Sequence, residues 1–77
     1  MKIDPLIKMA NQIAAFFAGE GGHNPEEAAR LVALHMRRYW EPRMRSEIID
    51  YLNNRGGDGL HELAISAVGL LAANKVN

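Results

Sequence analysis

Cysteine is absent from the 77 residues, so neither a disulfide nor a thiolate metal site can hold the fold together. Net charge is absent too. Nine basic and nine acidic side chains cancel, which argues against wholesale binding to nucleic acid or to an anionic membrane. No apolar run approaches the roughly 20 residues that a bilayer-spanning helix requires, and the most apolar stretch, Leu63 to Ala73, is interrupted by Ser66 and Gly69. Asp4 and Pro5 arrive before any apolar segment that would form the heart of a signal peptide, which predicts a cytoplasmic protein. Serine occurs only as Ser46 and Ser66, neither in a nucleophile-elbow context, so covalent catalysis has no evident agent. The segments GEGG and RGGDG lack the lysine and hydroxyl residue of a phosphate loop and follow no strand; they read as helix terminators. Alternation of apolar and polar residues at period two is nowhere sustained, and no sheet is expected.

What is present is helical. The length predicts one domain spanning residues 1–77, with a modest core, because eleven of its apolar residues are alanines that each bury little area. The reading is an all-α fold, a small bundle of about four short helices. Asp4 followed by Pro5 predicts an N-cap and first position for a helix running to about Ala18. Its inner stripe is Leu6, Met9, Ala10, Ile13, Phe16 and Phe17, with Lys8, Asn11, Gln12 and Ala15 opposite. Asn24-Pro25-Glu26-Glu27 repeats the start signal. A second helix to Tyr39 or Trp40 follows, facing inward with Ala28, Leu31, Val32, Met36 and Tyr39 and outward with Leu34.

Pro42 disfavours helical geometry at Glu41 and forces a turn at Trp40-Glu41-Pro42. A third helix, to about Asn54, turns Met44, Ile48, Tyr51 and Leu52 inward and Arg43, Glu47 and Asp50 outward. Asp58 is expected to cap a fourth from about Gly59 to Asn74, with Leu60, Leu63, Ala64, Ala67, Leu70 and Leu71 inward. Ile65, Val68 and Ala72 form a second apolar row on that helix, more than so small a bundle is expected to cover, and this apolar face is expected, with the Arg/Trp corner of residues 35–45, to bind a larger protein.

The candidate chemistry is sparse. His23, His35 and His61 lack the spacing that puts two imidazoles on one helix face; they read as a loop residue, a partly buried hydrogen-bonding side chain and first-turn surface. Residues 35–45, HMRRYWEPRMR, differ in kind from the rest of the chain. They hold four arginines against one acid, a local +3, and leave five bases against eight acids elsewhere, −3. Guanidinium groups beside Tyr39 and Trp40 can stack on rings and reach carboxylates or phosphates in bidentate fashion, the chemistry of interface hot spots. The competing structural account has Arg43 pairing with Glu47, Arg37 with Glu41, and Trp40 in the core. Arg38 and Arg45 have fewer local partners. The candidate partner-binding set is Arg37, Arg38, Tyr39, Trp40, Pro42, Arg43 and Arg45; no catalytic, cofactor-binding or metal residue is nominated.

Three blocks, LIKMANQIAAFF at residues 6–17, HMRRYWEPRMR at 35–45 and GDGLHEL at 57–63, resemble the delta subunit of NAD-dependent, molybdenum-containing formate dehydrogenases. The middle block is the most specific. The resemblance implies a non-catalytic accessory subunit beside a large catalytic alpha subunit in the cytoplasm, acting in assembly or stability of the holoenzyme. It implies that the molybdenum bis-guanine dinucleotide cofactor, iron–sulfur clusters, FMN and NAD belong to the partner complex and that none is bound by this chain. Two other expectations stand beside it: a small nucleic-acid or nucleotide-binding module whose arginines contact phosphates while Trp40 stacks on a base, and a homodimer through the second row of the last helix, with Gly69 allowing close approach.

Overall fold

Four helices account for most of the computed structural model, which describes residues 2–19 and 24–75: α1 (Ile3–Gly19), α2 (Pro25–Tyr39), α3 (Pro42–Arg55) and α4 (Glu62–Ala72). Among the described residues there is no strand. The radius of gyration, 11.1 Å, matches the roughly 11.5 Å of a close-packed chain of this length, so the helices enclose one another's apolar faces. The most extensive packing is between α2 and α4. Ala28, Ala29 and Ala33 on α2 and Ala64 and Ala67 on α4 are all buried; side chains this small let helix axes approach closely. The bulk of the core comes from Leu6, Val32, Met36, Ile48 and Val68.

α1 begins at Ile3, so Asp4 lies in its first turn instead of capping it. The first four N–H groups of a helix have no intrahelical acceptor, so Pro5 is tolerated there at any of several positions, and a carboxylate in that turn favours the helix dipole. Its buried line is Leu6, Ala10 and Ala14, whereas Met9 and Phe16 are 38% and 60% exposed. The expected stripe is therefore rotated. Periodicity weights large side chains, but the seam of closest approach belongs to the small ones, and the large ones fall on its flanks. Expectations for Glu20, Gly21, Gly22 and His23 lie outside the described residues.

α2 starts as its sequence predicts, with Pro25 in the first turn and the Asn24 side chain accepting the Glu27 N–H at 2.8 Å. Tyr39, expected inward, is 72% exposed at the helix end, and Leu34, expected outward, is half-buried against the core. Trp40 and Glu41 are both extended, with ψ 141° and 151°, the geometry that a following proline enforces on Glu41. This short link lays Trp40 into the core at 5% exposure.

α3 ends in a glycine turn. Gly56, at φ 68°, closes it by donating its N–H to the Leu52 carbonyl at 2.9 Å. Gly57, at φ 75°, is buried, and a Cβ there would sit 3.0 Å from Leu52 Cδ1 and 3.1 Å from Ile65 Cγ1. The Tyr51 hydroxyl donates to the Asp58 carbonyl at 2.6 Å. This turn consumes residues 56–60, so α4 starts at Glu62 and its cap is His61, whose Nδ1 accepts the Leu63 N–H at 3.0 Å. Asp58 is not the cap.

The second apolar row of α4 is largely used within the fold. Val68 is fully buried and Ile65 is half-buried against the core, leaving only Ala72 exposed. Three neighbouring helices surround α4, which is why a helix apolar nearly all round is covered here. Beyond its first residue, what α4 leaves exposed is Ser66 and Ala72, with open space above Gly69.

Candidate partner-binding surface

The turn between α2 and α3 carries the arginine segment. Arg37, Arg38, Pro42 and Arg43 are exposed there, and Arg45 is half-buried. Arg45 Nη1 donates to the Arg37 carbonyl at 2.6 Å. A cation on a carbonyl of the last turn of α2 satisfies an acceptor that the helix itself cannot, so Arg45 ties α3 to α2 and has a local partner after all. Arg38 remains as the outward-facing member of the pair singled out from sequence.

Trp40 does not belong to this surface. With 5% of its area exposed it has no open ring face for a partner side chain or a nucleobase, so the stacking expected of it is lost in the folded chain. Its neighbour Tyr39 is exposed instead, and it ends a chain of ring contacts that periodicity did not reveal. Phe16 meets Phe17 edge to face with centroids 5.1 Å apart, Phe17 meets His35 at 6.4 Å, and His35 meets Tyr39 at 4.8 Å. His35 is half-buried, as expected, but its ring lies between aromatic rings of α1 and α2 where a hydrogen-bonding role was expected. The spacing of His35 and Tyr39, one helical turn apart, was the available signal; it reads equally well as core.

Polar side chains outside the arginine segment gather at few places. Among the described residues no three His, Asp or Glu side chains are placed to hold a metal ion. A groove of about 590 Å³ lies between the start of α2 and α4 and is lined by Asn24, Glu26, Arg30, Ser66, Leu70 and Lys75 among others. Among the described residues no histidine lines it; a neighbouring groove of about 310 Å³ brings His61 and Glu62 to the same lining as Ser66, but His61 Nδ1 there accepts the Leu63 N–H. Glu47, expected on the outer face, is half-buried, and its Oε2 is shielded from solvent with no hydrogen-bond partner. No described helix is long and apolar enough to cross a membrane.

These features define a class: a small all-helical protein with exposed arginines and an exposed tyrosine at its α2–α3 turn. Residues 5–68 match the family model described as the NADH-dependant formate dehydrogenase delta subunit, FdsD. The match covers most of the chain, and the chain belongs to that family. Comparison with curated proteins and with solved structures gave no match.

Proposed function

We propose that this chain is a non-catalytic accessory subunit that supports assembly or stability of a cytoplasmic NAD-dependent formate dehydrogenase by binding its catalytic alpha subunit. The observation that carries this reading is the family match over residues 5–68. The exposed arginines Arg37, Arg38 and Arg43, with Tyr39 and Pro42, supply the contact, while Trp40 and Arg45 hold the turn in shape from within. On this reading the molybdenum bis-guanine dinucleotide cofactor, iron–sulfur clusters, FMN and NAD are held by the partner subunits. The composition of this chain agrees, since it has no cysteine for an iron–sulfur cluster.

A tagged copy expressed in its native host tests the proposal. Recovery of the molybdenum subunit with the tag, together with loss of formate-dependent NAD reduction on deleting the chain, is the expected result. A tag that brings down no such subunit, with formate oxidation intact in the deletion strain, overturns it.

A further inference from the structure

Every described large hydrophobic residue with an exposed side chain lies on α1 or at the end of α2: Met9, Phe16 and Tyr39. Met9 and Phe16 are two helical turns apart on one flank of α1. Phe16 then connects through Phe17 and His35 to Tyr39 by successive ring contacts. Exposed Phe16 and Tyr39 are thus joined through the half-buried rings of Phe17 and His35 into one strip, with Met9 on the same flank of α1, and apolar strips on small proteins mark interaction sites. Phe and Tyr also carry large contact area at low rotamer cost.

We infer that this strip, bordered by Arg38, is the docking surface, and that its occupant is an apolar segment flanked by carboxylates on a different protein chain. The inference rests on the accessory-subunit reading and names the surface and the partner chemistry for it. Arg38 is exposed and adjoins Tyr39 in the segment of local charge +3. A carboxylate-bearing partner complements the charge at that end of the strip, which a second copy, with the same cationic segment, supplies less well. An acidic partner supplies counter-ions for the guanidinium. Of the other surfaces that the sequence suggested, Trp40 is taken up inside the fold, and the α4 row keeps Ala72 exposed with Ile65 half-buried.

The test uses the full chain, tagged and co-expressed with the formate dehydrogenase subunits, and reads the amount of catalytic subunit recovered. Phe16→Ser with Tyr39→Ser, and separately Arg38→Glu, are expected to lower recovery by about tenfold or more, with the Arg38 contribution weakening as salt rises. Lys75→Glu, beside Asn24 at the opposite end of α2, is expected to leave recovery unchanged. Wild-type recovery by the strip variants, with melting curves like that of the parent, overturns the inference while the subunit reading stands. If the parent chain recovers nothing, the subunit reading falls, and the inference with it. Should the double-serine variant fail to fold, Arg38→Glu decides alone: full recovery overturns the inference. Sedimentation of the free chain gives the remaining outcome, because a concentration-dependent dimer abolished by Phe16→Ser assigns the strip to a second copy and overturns the acidic partner.

Discussion

Asn11 and His61, fifty residues apart in sequence, are joined by a 2.8 Å hydrogen bond in which the Asn11 Oδ1 accepts the His61 backbone N–H. The other end of the same amide donates to the Gly59 carbonyl at 2.9 Å. One side chain in the middle of α1 thus satisfies both a donor and an acceptor of the loop that starts α4. His61 in turn caps α4 through Nδ1, so α1 indirectly fixes where the last helix begins.

Asn11→Ala is expected to destabilise the fold by about 1–2 kcal/mol, since each of two hydrogen bonds near the surface contributes roughly 1 kcal/mol. For a chain of this size that corresponds to a fall in Tm of roughly 4–8 °C per kcal/mol. Thermal unfolding followed by circular dichroism measures it. A variant melting within a degree of the parent would show that the clamp contributes nothing.

The fold class, the order of the helices and their approximate limits were legible in the sequence because Asn24-Pro25, Pro42 and Gly56 act locally, within one turn of the residues they govern. Which side of each helix faces inward was less legible. The Leu6–Ala10–Ala14 seam of α1 depends on where another helix approaches, and a hydrophobicity pattern weighted by side-chain size finds Leu6 and Ala10 but passes over Ala14 and adds Met9 and Phe16. The start of α4 was misplaced for a related reason: Asp58 is a good cap by residue type, but the contact that selects His61 comes from α1. For the candidate surface, residue type pointed to the arginine segment and could not divide it into the exposed Arg38 and Tyr39 and the inward Trp40 and Arg45.

The glycines of the α3–α4 turn should differ in their tolerance of alanine. Gly56 and Gly57 both have positive φ, at 68° and 75°, but only Gly57 lacks room for a Cβ. Gly56→Ala is expected to cost about 1–2 kcal/mol from backbone conformation alone. Gly57→Ala adds displacement of Leu52 and Ile65, bringing the loss to about 2–4 kcal/mol. Gly19→Ala, with open space around it and no positive φ, should lie within about 0.5 kcal/mol of the parent. Urea titration of the three variants checks the ranking, and equal losses at Gly56 and Gly57 would remove the packing argument.

Glu47 offers the opposite sign. Its Oε2 is shielded from solvent and unpartnered, and an unsatisfied polar atom costs roughly 1–3 kcal/mol. Glu47→Met keeps the aliphatic stem and removes that atom, so the variant is expected to be more stable by about 1 kcal/mol. A lower urea midpoint for Glu47→Met would mean that the carboxylate has a stabilising role in the free chain.

Adjacent residues 39 and 40 separate exterior from interior. Trp40→Ala, at 5% exposure, should cost about 3–5 kcal/mol, enough to unfold a large fraction of so small a protein at 37 °C. Tyr39→Ala, at 72% exposure, should cost under about 0.5 kcal/mol. Tryptophan fluorescence gives an independent check, because a buried indole is poorly quenched by iodide; strong quenching in the native chain would contradict the burial of Trp40.

Arg38 and Arg45 make the last contrast, because both are arginines of the same cationic segment and only one is tied to the fold. Arg45 donates to the Arg37 carbonyl, a charge-assisted bond at a helix C-terminus whose loss is expected to cost about 1 kcal/mol, the lower end of the range because the site is partly solvated. Arg45→Met retains most of the aliphatic stem, so a fall in stability reports the lost bond and not lost packing. Arg38→Met leaves that bond in place and should melt with the parent. The two variants thus have opposite expected signatures: Arg45→Met lowers Tm, while Arg38→Met leaves Tm unchanged and weakens recovery of the catalytic subunit. If Arg38→Met lowers Tm as much as Arg45→Met does, Arg38 also serves the fold, and the division of the segment into a docking member and a bracing member is wrong.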